Sequence, residues 1–285
     1  MKNTYFLLSA FLFLIACTSL KESTKTIPYK IPVYAWVSDL NSLTDTELKT
    51  KFEFYKNKGI DVLMYHGGHD PLTYQRVGKI AKEAGLGLDA WIPTMVQNKT
   101  PEISSDWYAV NRNGESALEK PAYVAYYKFL CPSKEGVYNF LETMYDKIAQ
   151  VKEVDAIHLD YIRFPDVILA RGLWKKYGLV MDKEYAPYDY CNCEDCTNAF
   201  KSITGIDIKK AEDPSKIEEW KTFRYNLISN LVNRLSTKIH SRGKQINAAV
   251  FPGPGSVAKK LVRQEWNKWN LDTYFPMNYN DFYLE

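Results

Sequence analysis

The segment "AIHLDYIRFPD" (156–166) collects His158, Asp160, Tyr161, Arg163 and Asp166 along a run that otherwise reads as a buried strand. Side chains of a strand alternate between its faces, so His158 and Asp160 share one face with Ala156, while Ile157, Leu159 and Tyr161 share the other. The second set suits packing against helices, which turns the acid toward the inside of the sheet. A carboxylate there must be hydrogen-bonded or paired, and Arg163, His158 and Asn278 are the expected partners. So held, it can act as a general base, as a nucleophile or as the stabiliser of a developing positive charge. A second constellation lies in "YCNCEDCTNAF", where Cys191, Cys193 and Cys196 form a CxCxxC pattern, with Cys131 apart from them in "FLCPSKEG". Three such close thiols cannot all pair among themselves. Three plus one supply a tetrahedral set for Zn²⁺, and four protein ligands leave no position for water, so the metal would be structural. Disulfides are the competing reading in an oxidising compartment.

These residues need a scaffold, and the rest of the chain reads as one. Short apolar runs alternate with stretches of helical period, the pattern of βα units around a parallel sheet. The strands expected are 33–38, 60–68, 86–94, 156–164, 246–251 and 271–279; the helices are 44–58, 73–84, 134–150, 217–241 and 256–269. Thr44 with Glu47 makes a capping box at the first helix, and Gly59 and Gly85 stop the first two. Two long excursions, 95–131 and 165–216, interrupt the alternation, and connections of that length are usually functional. Asn113-Gly114 in the first suggests a hairpin turn. No glycine-rich phosphate loop follows any strand, which favours a (β/α)₈ TIM-type barrel over an open doubly wound sheet. Only six of its eight strands are found, so the barrel is expected to be incomplete at the C-terminus, as in a fragment of a longer protein, unless two strands hide in the excursions.

The same alternation puts Gly87, Asp89 and Trp91 inside on the third strand, and Tyr34, Trp36 and Ser38 inside on the first. Polar and aromatic groups thus converge on the carboxyl ends of the strands, where barrel enzymes carry their chemistry. His66 and Asn278, ending the second and sixth strands, are expected at the same mouth. The formal net charge is +3, from 37 basic and 34 acidic residues, with no basic stripe to follow a phosphate backbone, so nucleic acid is not an expected partner. The 21 Tyr and 7 Trp suit a cleft that stacks rings on sugars. At the start, Lys2, an apolar run over 5–16 and Leu14-Ile15-Ala16-Cys17 read as a secretory signal (1–16), followed by a Thr/Ser/Lys-rich tether over 17–30 and the barrel domain over 31–285.

The stretch ending at Cys17 resembles the lipobox of bacterial lipoproteins, which implies a lipid on Cys17, a membrane as partner and a place in the bacterial cell envelope. "IHLDYIRFP" resembles the fourth-strand signature of the glycosyl hydrolase-like family 10 barrels, and the likeness continues through "EEWKTFRYNLISNLVNRL", "INAAVF" and "QEWNKWNLDTYFPMNY" in the family's order. The resemblance implies a barrel acting on a polysaccharide or oligosaccharide, with Asp160 in the catalytic position. Tyr161, Arg163, Asn278 and Tyr279 would surround the sugar, joined by Trp36, His66, Asp89, Trp91 and His158 of the interior. The alpha-amylase barrels also end their fourth strand in Asp but carry Arg two residues before it; His158 stands there in this chain, so the amylase mechanism does not carry over. Glycoside hydrolysis needs a second carboxyl group, for which Asp89, Asp70 and Asp281 are the candidates along with residues on the missing strands. A carbohydrate-binding lipoprotein without catalysis is the alternative, and a lyase or transglycosylase a third. The distant Cys131 followed by CxCxxC resembles the four-cysteine zinc site of family 42 beta-galactosidases, which implies that the metal clips the two excursions together.

Overall fold

The computed structural model describes residues 30–283, so Cys17 and the segment assigned as leader lie outside the described residues. Among the described residues the strands are β1 (Tyr34–Val37), β2 (Val62–Tyr65), β3 (Gly87–Pro93), β4 (Ala156–Asp160), β5 (Gln245–Val250) and β6 (Thr273–Pro276). They pair in parallel and in sequence order. The helices are α1 (Asp45–Asn57), α2 (Pro71–Glu83), α3 (Glu135–Ala149), α4 (Trp174–Tyr177), α5 (Glu194–Thr204), α6 (Glu218–His240) and α7 (Val257–Val262). The sheet is a curled, partial barrel. Its first and last strands are not laddered together in this order, yet the Tyr34 and Phe275 rings meet edge-on with centroids 4.9 Å apart.

Local sequence explains the elements. Thr44 and Glu47 form the expected capping box on α1, and Asp70 accepts from the Leu72 amide ahead of Pro71 at the start of α2. Gly59 stops α1 with φ of 87°, a conformation that disfavours any side chain. Leu48, Phe52, Val77, Leu141, Ile148, Val232 and Leu235 on the helices bury against Leu63, Leu88, Ile157, Leu159 and Ile246 on the strands. Burial of one such side chain is worth about 1.5–3 kcal/mol, so this layer holds the strand ends in place.

One alternative falls and one expectation is corrected. The excursions add no strand to the sheet, so the two missing strands do not hide in them: they contribute isolated antiparallel bridges, among them Val110 with Ser116 across the Asn113-Gly114 turn. The helix expected over 256–269 ends at Val262, because Arg263 takes a left-handed φ of 62° and turns its guanidinium onto Glu184 at 2.5 Å. Gln264 then bonds the Phe251 amide at 2.8 Å and the Ile162 carbonyl at 3.2 Å, pinning this break to the ends of β5 and β4.

Candidate functional site

Asp160 is the last residue of β4, half-buried at the carboxyl mouth. Its carbonyl accepts from the Thr94 amide at 2.7 Å, which ties the end of β4 to the end of β3. One carboxylate oxygen accepts from the Trp91 indole at 2.9 Å and the other from the Tyr161 amide at 2.7 Å. The expected partners Arg163, His158 and Asn278 are therefore not the ones that hold it. The amide contact depends on Tyr161 having φ of 47°, an uncommon value for an aromatic residue. That turn also takes Tyr161 out of the strand's alternation, and its ring packs on Tyr126, Tyr127 and Phe129.

Around Asp160 the mouth is aromatic. Trp36 is 44% exposed, with its ring 6.5 Å from Trp91, and His66 lies 5.5 Å from Trp91 on the other side. Tyr279 is 52% exposed; burial and the Asp160 charge raise its phenol above its ordinary pKa. Partial burial lowers His66, while the charges of Asp160 and Asp39 act in the opposite sense. Asn278 is exposed in the turn after β6, where its amide bonds the Pro276 carbonyl.

Beneath the mouth runs a buried polar chain that strand alternation foresees only in part. The Trp36 indole donates to His158 Nε2 at 3.3 Å, and His158 Nδ1 bonds the Asn247 side-chain oxygen. Asn247 Nδ2 donates to Asp89 at 2.9 Å. These directions require a neutral imidazole protonated at Nδ1. Burial lowers His158 to about 4 and raises Asp89 to about 6. His158 is fully buried and Asp89 3% exposed, so neither reaches a ligand in the mouth, contrary to the expectation that both line the cleft. Asp89 also pairs in register with Ala156, one strand turn of side chains below His158, which removes it as the partner of Asp160. Asn247 is the residue missed: it sits on the interior face of "INAAVF", and the alternation used for the other strands finds it.

Arg163 is corrected as well. It is 6% exposed, ion-paired to buried Asp166 at 2.9 Å and enclosed by the Tyr127, Phe129, Tyr161 and Phe251 rings at 5.1–5.7 Å. It braces the loop after β4 instead of facing the cleft. Of the other second acids, Asp70 serves as the α2 cap and Asp281 is exposed beyond β6.

The four cysteines come together as expected. Cys131, Cys191, Cys193 and Cys196 are buried, and their sulfurs lie within 4.8 Å of one another. No pair is at disulfide distance; the shortest separation is 2.7 Å, between Cys191 and Cys196. The Ser133 hydroxyl reaches Cys131 and Cys196 at 3.0 Å each. Burial pushes the Cys191 and Cys196 thiols up, a cost that a bound cation removes by taking thiolates as ligands. This donor set fits a tetrahedral metal. Beside it, Arg224 of α6 and Asp189 form a fully buried ion pair that sequence spacing gives no means to foresee.

Two recesses open at the mouth and share His66: one of about 380 Å³ bordered by Asp39, Ser42 and Gly68, the other of about 270 Å³ bordered by His69, Gln97, Thr100 and Tyr126. Larger concavities of about 740 and 910 Å³ lie elsewhere, among α3, α5 and α6 and between the outer loops. Their walls contain no strand end, whereas the smaller two share His66, the residue after β2; Asp160 itself lines none of the four.

No family model matches the chain, and no curated protein matches it. Among solved structures, the glycoside hydrolase domain of PgaB (BpsB) from Bordetella bronchiseptica is similar, with a TM-score of 0.61 and 11% identity over 86% of this chain and 73% of that one. A beta-galactosidase from the psychrophilic Marinomonas ef1 is similar with a TM-score of 0.51 and 9% identity, over 78% of this chain and 38% of that one. At such identities the likeness concerns the fold, which is a barrel fold shared with these glycoside hydrolases.

Proposed function

We propose that this protein is a glycoside hydrolase of the bacterial cell envelope, held on a membrane through a lipid on Cys17 and acting on a polysaccharide or its oligosaccharides. The observation that carries the reading is Asp160: a carboxylate at the carboxyl end of a barrel strand, fixed through both oxygens by Trp91 and the Tyr161 amide, between exposed Trp36 and Tyr279. Exposed flat rings beside an oriented carboxylate suit a pyranose whose anomeric carbon gains positive charge as its bond breaks. Asp160 serves there as base, nucleophile or stabilising charge. Trp36, Trp91 and His66 form the floor, and Tyr161, Asn278 and Tyr279 stand at the rim. The barrel likeness to glycoside hydrolases supports the class, and the envelope location rests on the residues before Cys17. The four cysteines hold a structural zinc, with no catalytic part for the metal.

The test is Asp160→Asn assayed on a panel of glycans and aryl glycosides with the full chain. Its kcat is expected to fall by about 10²–10⁴ on any substrate the parent cleaves. Unchanged turnover removes Asp160 from the reaction, and binding without hydrolysis by the parent itself favours a carbohydrate-binding lipoprotein.

A further inference from the structure

Asp160 lacks an evident second acid, because Asp89 is buried below the mouth and Asp70 and Asp281 are engaged or placed elsewhere. The far end of the aromatic floor supplies one. Starting from Asp160, the Trp91 indole is hydrogen-bonded to its carboxylate, the His66 ring lies 5.5 Å from Trp91, and His66 shares the recess of about 380 Å³ with Asp39. Asp39 stands two residues after the end of β1, next to His66, whose amide bonds the Val37 carbonyl at 2.9 Å. Asp160 thus ends β4 and Asp39 follows the end of β1, and the His66 imidazole feels the charge of both.

The backbone at Asp39 is also unusual. Its φ of 58° and ψ of 28° are left-handed in a residue that is not glycine. Asp tolerates this conformation better than most residues, yet it is still strained, and such strain collects at functional sites. The Ser38 hydroxyl bonds the carboxylate at 3.0 Å, and the Ser42 hydroxyl bonds the Asp39 carbonyl at 3.4 Å. The turn that follows, Leu40–Ser42, is anchored by buried Leu40, so the carboxyl group is held at the recess by its own backbone.

We propose that Asp39 is the second carboxyl group of the site, acting as the general acid opposite Asp160. The inference rests on the hydrolase reading of Asp160 and adds to it the residue that protonates the leaving group. In the step, a water oxygen bonds to the anomeric carbon and passes one proton to Asp160. The bond from that carbon to the leaving oxygen breaks, and the leaving oxygen takes the proton of Asp39. One water is consumed and no electron is transferred to a cofactor. Carboxyl groups that form a covalent glycosyl intermediate stand only about 5–5.5 Å apart, whereas wider pairs leave room for the water. The step assigned to Asp39 and Asp160 requires the wider spacing.

The experiment uses the full-length protein with Asp39→Asn, Asp39→Gly and Asp160→Asn, on the phenyl and 2,4-dinitrophenyl glycosides of a sugar the parent cleaves. A dinitrophenolate leaves without a proton. Loss of the acid should therefore lower kcat about 10²–10⁴-fold on the phenyl glycoside and less than about tenfold on the dinitrophenyl one, while Asp160→Asn lowers both. Glycine adopts the left-handed backbone freely, so Asp39→Gly should behave as Asp39→Asn does. Equal losses on both substrates, or none, overturn the assignment while leaving Asp160 in place. Activity retained in Asp160→Asn removes Asp160 from the reaction, and a parent that binds but cleaves no glycoside overturns the hydrolase reading itself. A second measurement needs no substrate: the NMR titration midpoint of His66 should fall in Asp39→Asn and in Asp160→Asn, since each removes a negative charge near the imidazole. A midpoint unmoved by Asp39→Asn overturns the placement.

Discussion

The loop that leaves β4 joins two polar clusters built on opposite terms. At one end stand Asp160, Trp91 and Trp36, partly open to solvent. At the other stand Cys131, Cys191, Cys193, Cys196, Asp189 and Arg224, all sealed from it. A sealed ionic cluster answers to nothing outside; an open one keeps hydrogen-bonding and stacking capacity for a ligand. The difference teaches that the chemically rich residues of this chain divide by exposure, not by residue type, into those that build walls and those that face the cleft.

The comparison breaks first, and with the largest effect, at the thiols. Cys196→Ser should remove bound zinc, measured by metal analysis, and lower the unfolding free energy by more than about 4 kcal/mol, as expected for loss of a structural metal. Asp160→Asn loses one of two accepted hydrogen bonds and should lower stability far less, by about 1–3 kcal/mol. A metal-free parent with two thiols that titrate only after reduction would replace the zinc site with a disulfide. The next effect in size concerns Arg224→Met, which leaves the buried Asp189 carboxylate with only Arg112, 3.9 Å away, as a cationic partner. Urea unfolding should report a loss of about 3–5 kcal/mol, with much of it restored in Arg224→Met with Asp189→Leu.

The smallest effect sharpens the boundary between the clusters, at the buried chain under the mouth. Burial deprotonates His158, so between about 4 and its ordinary 6.5 the unfolded chain binds the extra proton and stability rises with pH. Asp89, raised from 3.8 to about 6, binds its extra proton in the folded state, so its contribution falls as pH rises through that interval. The two slopes oppose each other, and the parent should vary little between pH 4 and 6 on their account. Asp89→Asn keeps the bond to Asn247 and removes one slope; its stability should climb by about 3 kcal/mol from pH 4 to 6.5 in chemical denaturation. A flat profile in that variant would mean that His158 is not held neutral.

Much of the scaffold was legible because period and capping are local. The capping box at Thr44, the stop at Gly59 and the alternation that turns His158 and Asp160 inward all follow from neighbours in the sequence. What alternation could not supply was depth and partner. It grouped Asp89, His158 and Asp160 on interior faces, but only the register between strands puts Asp89 below reach of the mouth. Arg163 read as a cleft residue because its cage of rings comes from segments far apart in the chain. Helix α7 read too long because the reason for its end, the Glu184 carboxylate, lies 79 positions before Arg263. Asn247 follows from the same alternation on β5, while Asp39 lies past the end of β1, where alternation gives no signal.

The cysteine set has one more consequence, in the topology of the chain. The polypeptide between Cys131 and Cys191 contains α3, β4 and Asp160, so a metal held by the four sulfurs would close this stretch into a ring. A cross-linked ring has fewer ways to spread when it unfolds, and this restriction favours the folded arrangement of the segment it encloses. The strand that carries Asp160 would then be tethered at both ends by one knot of sulfur, and its fraying from either side checked at a fixed point.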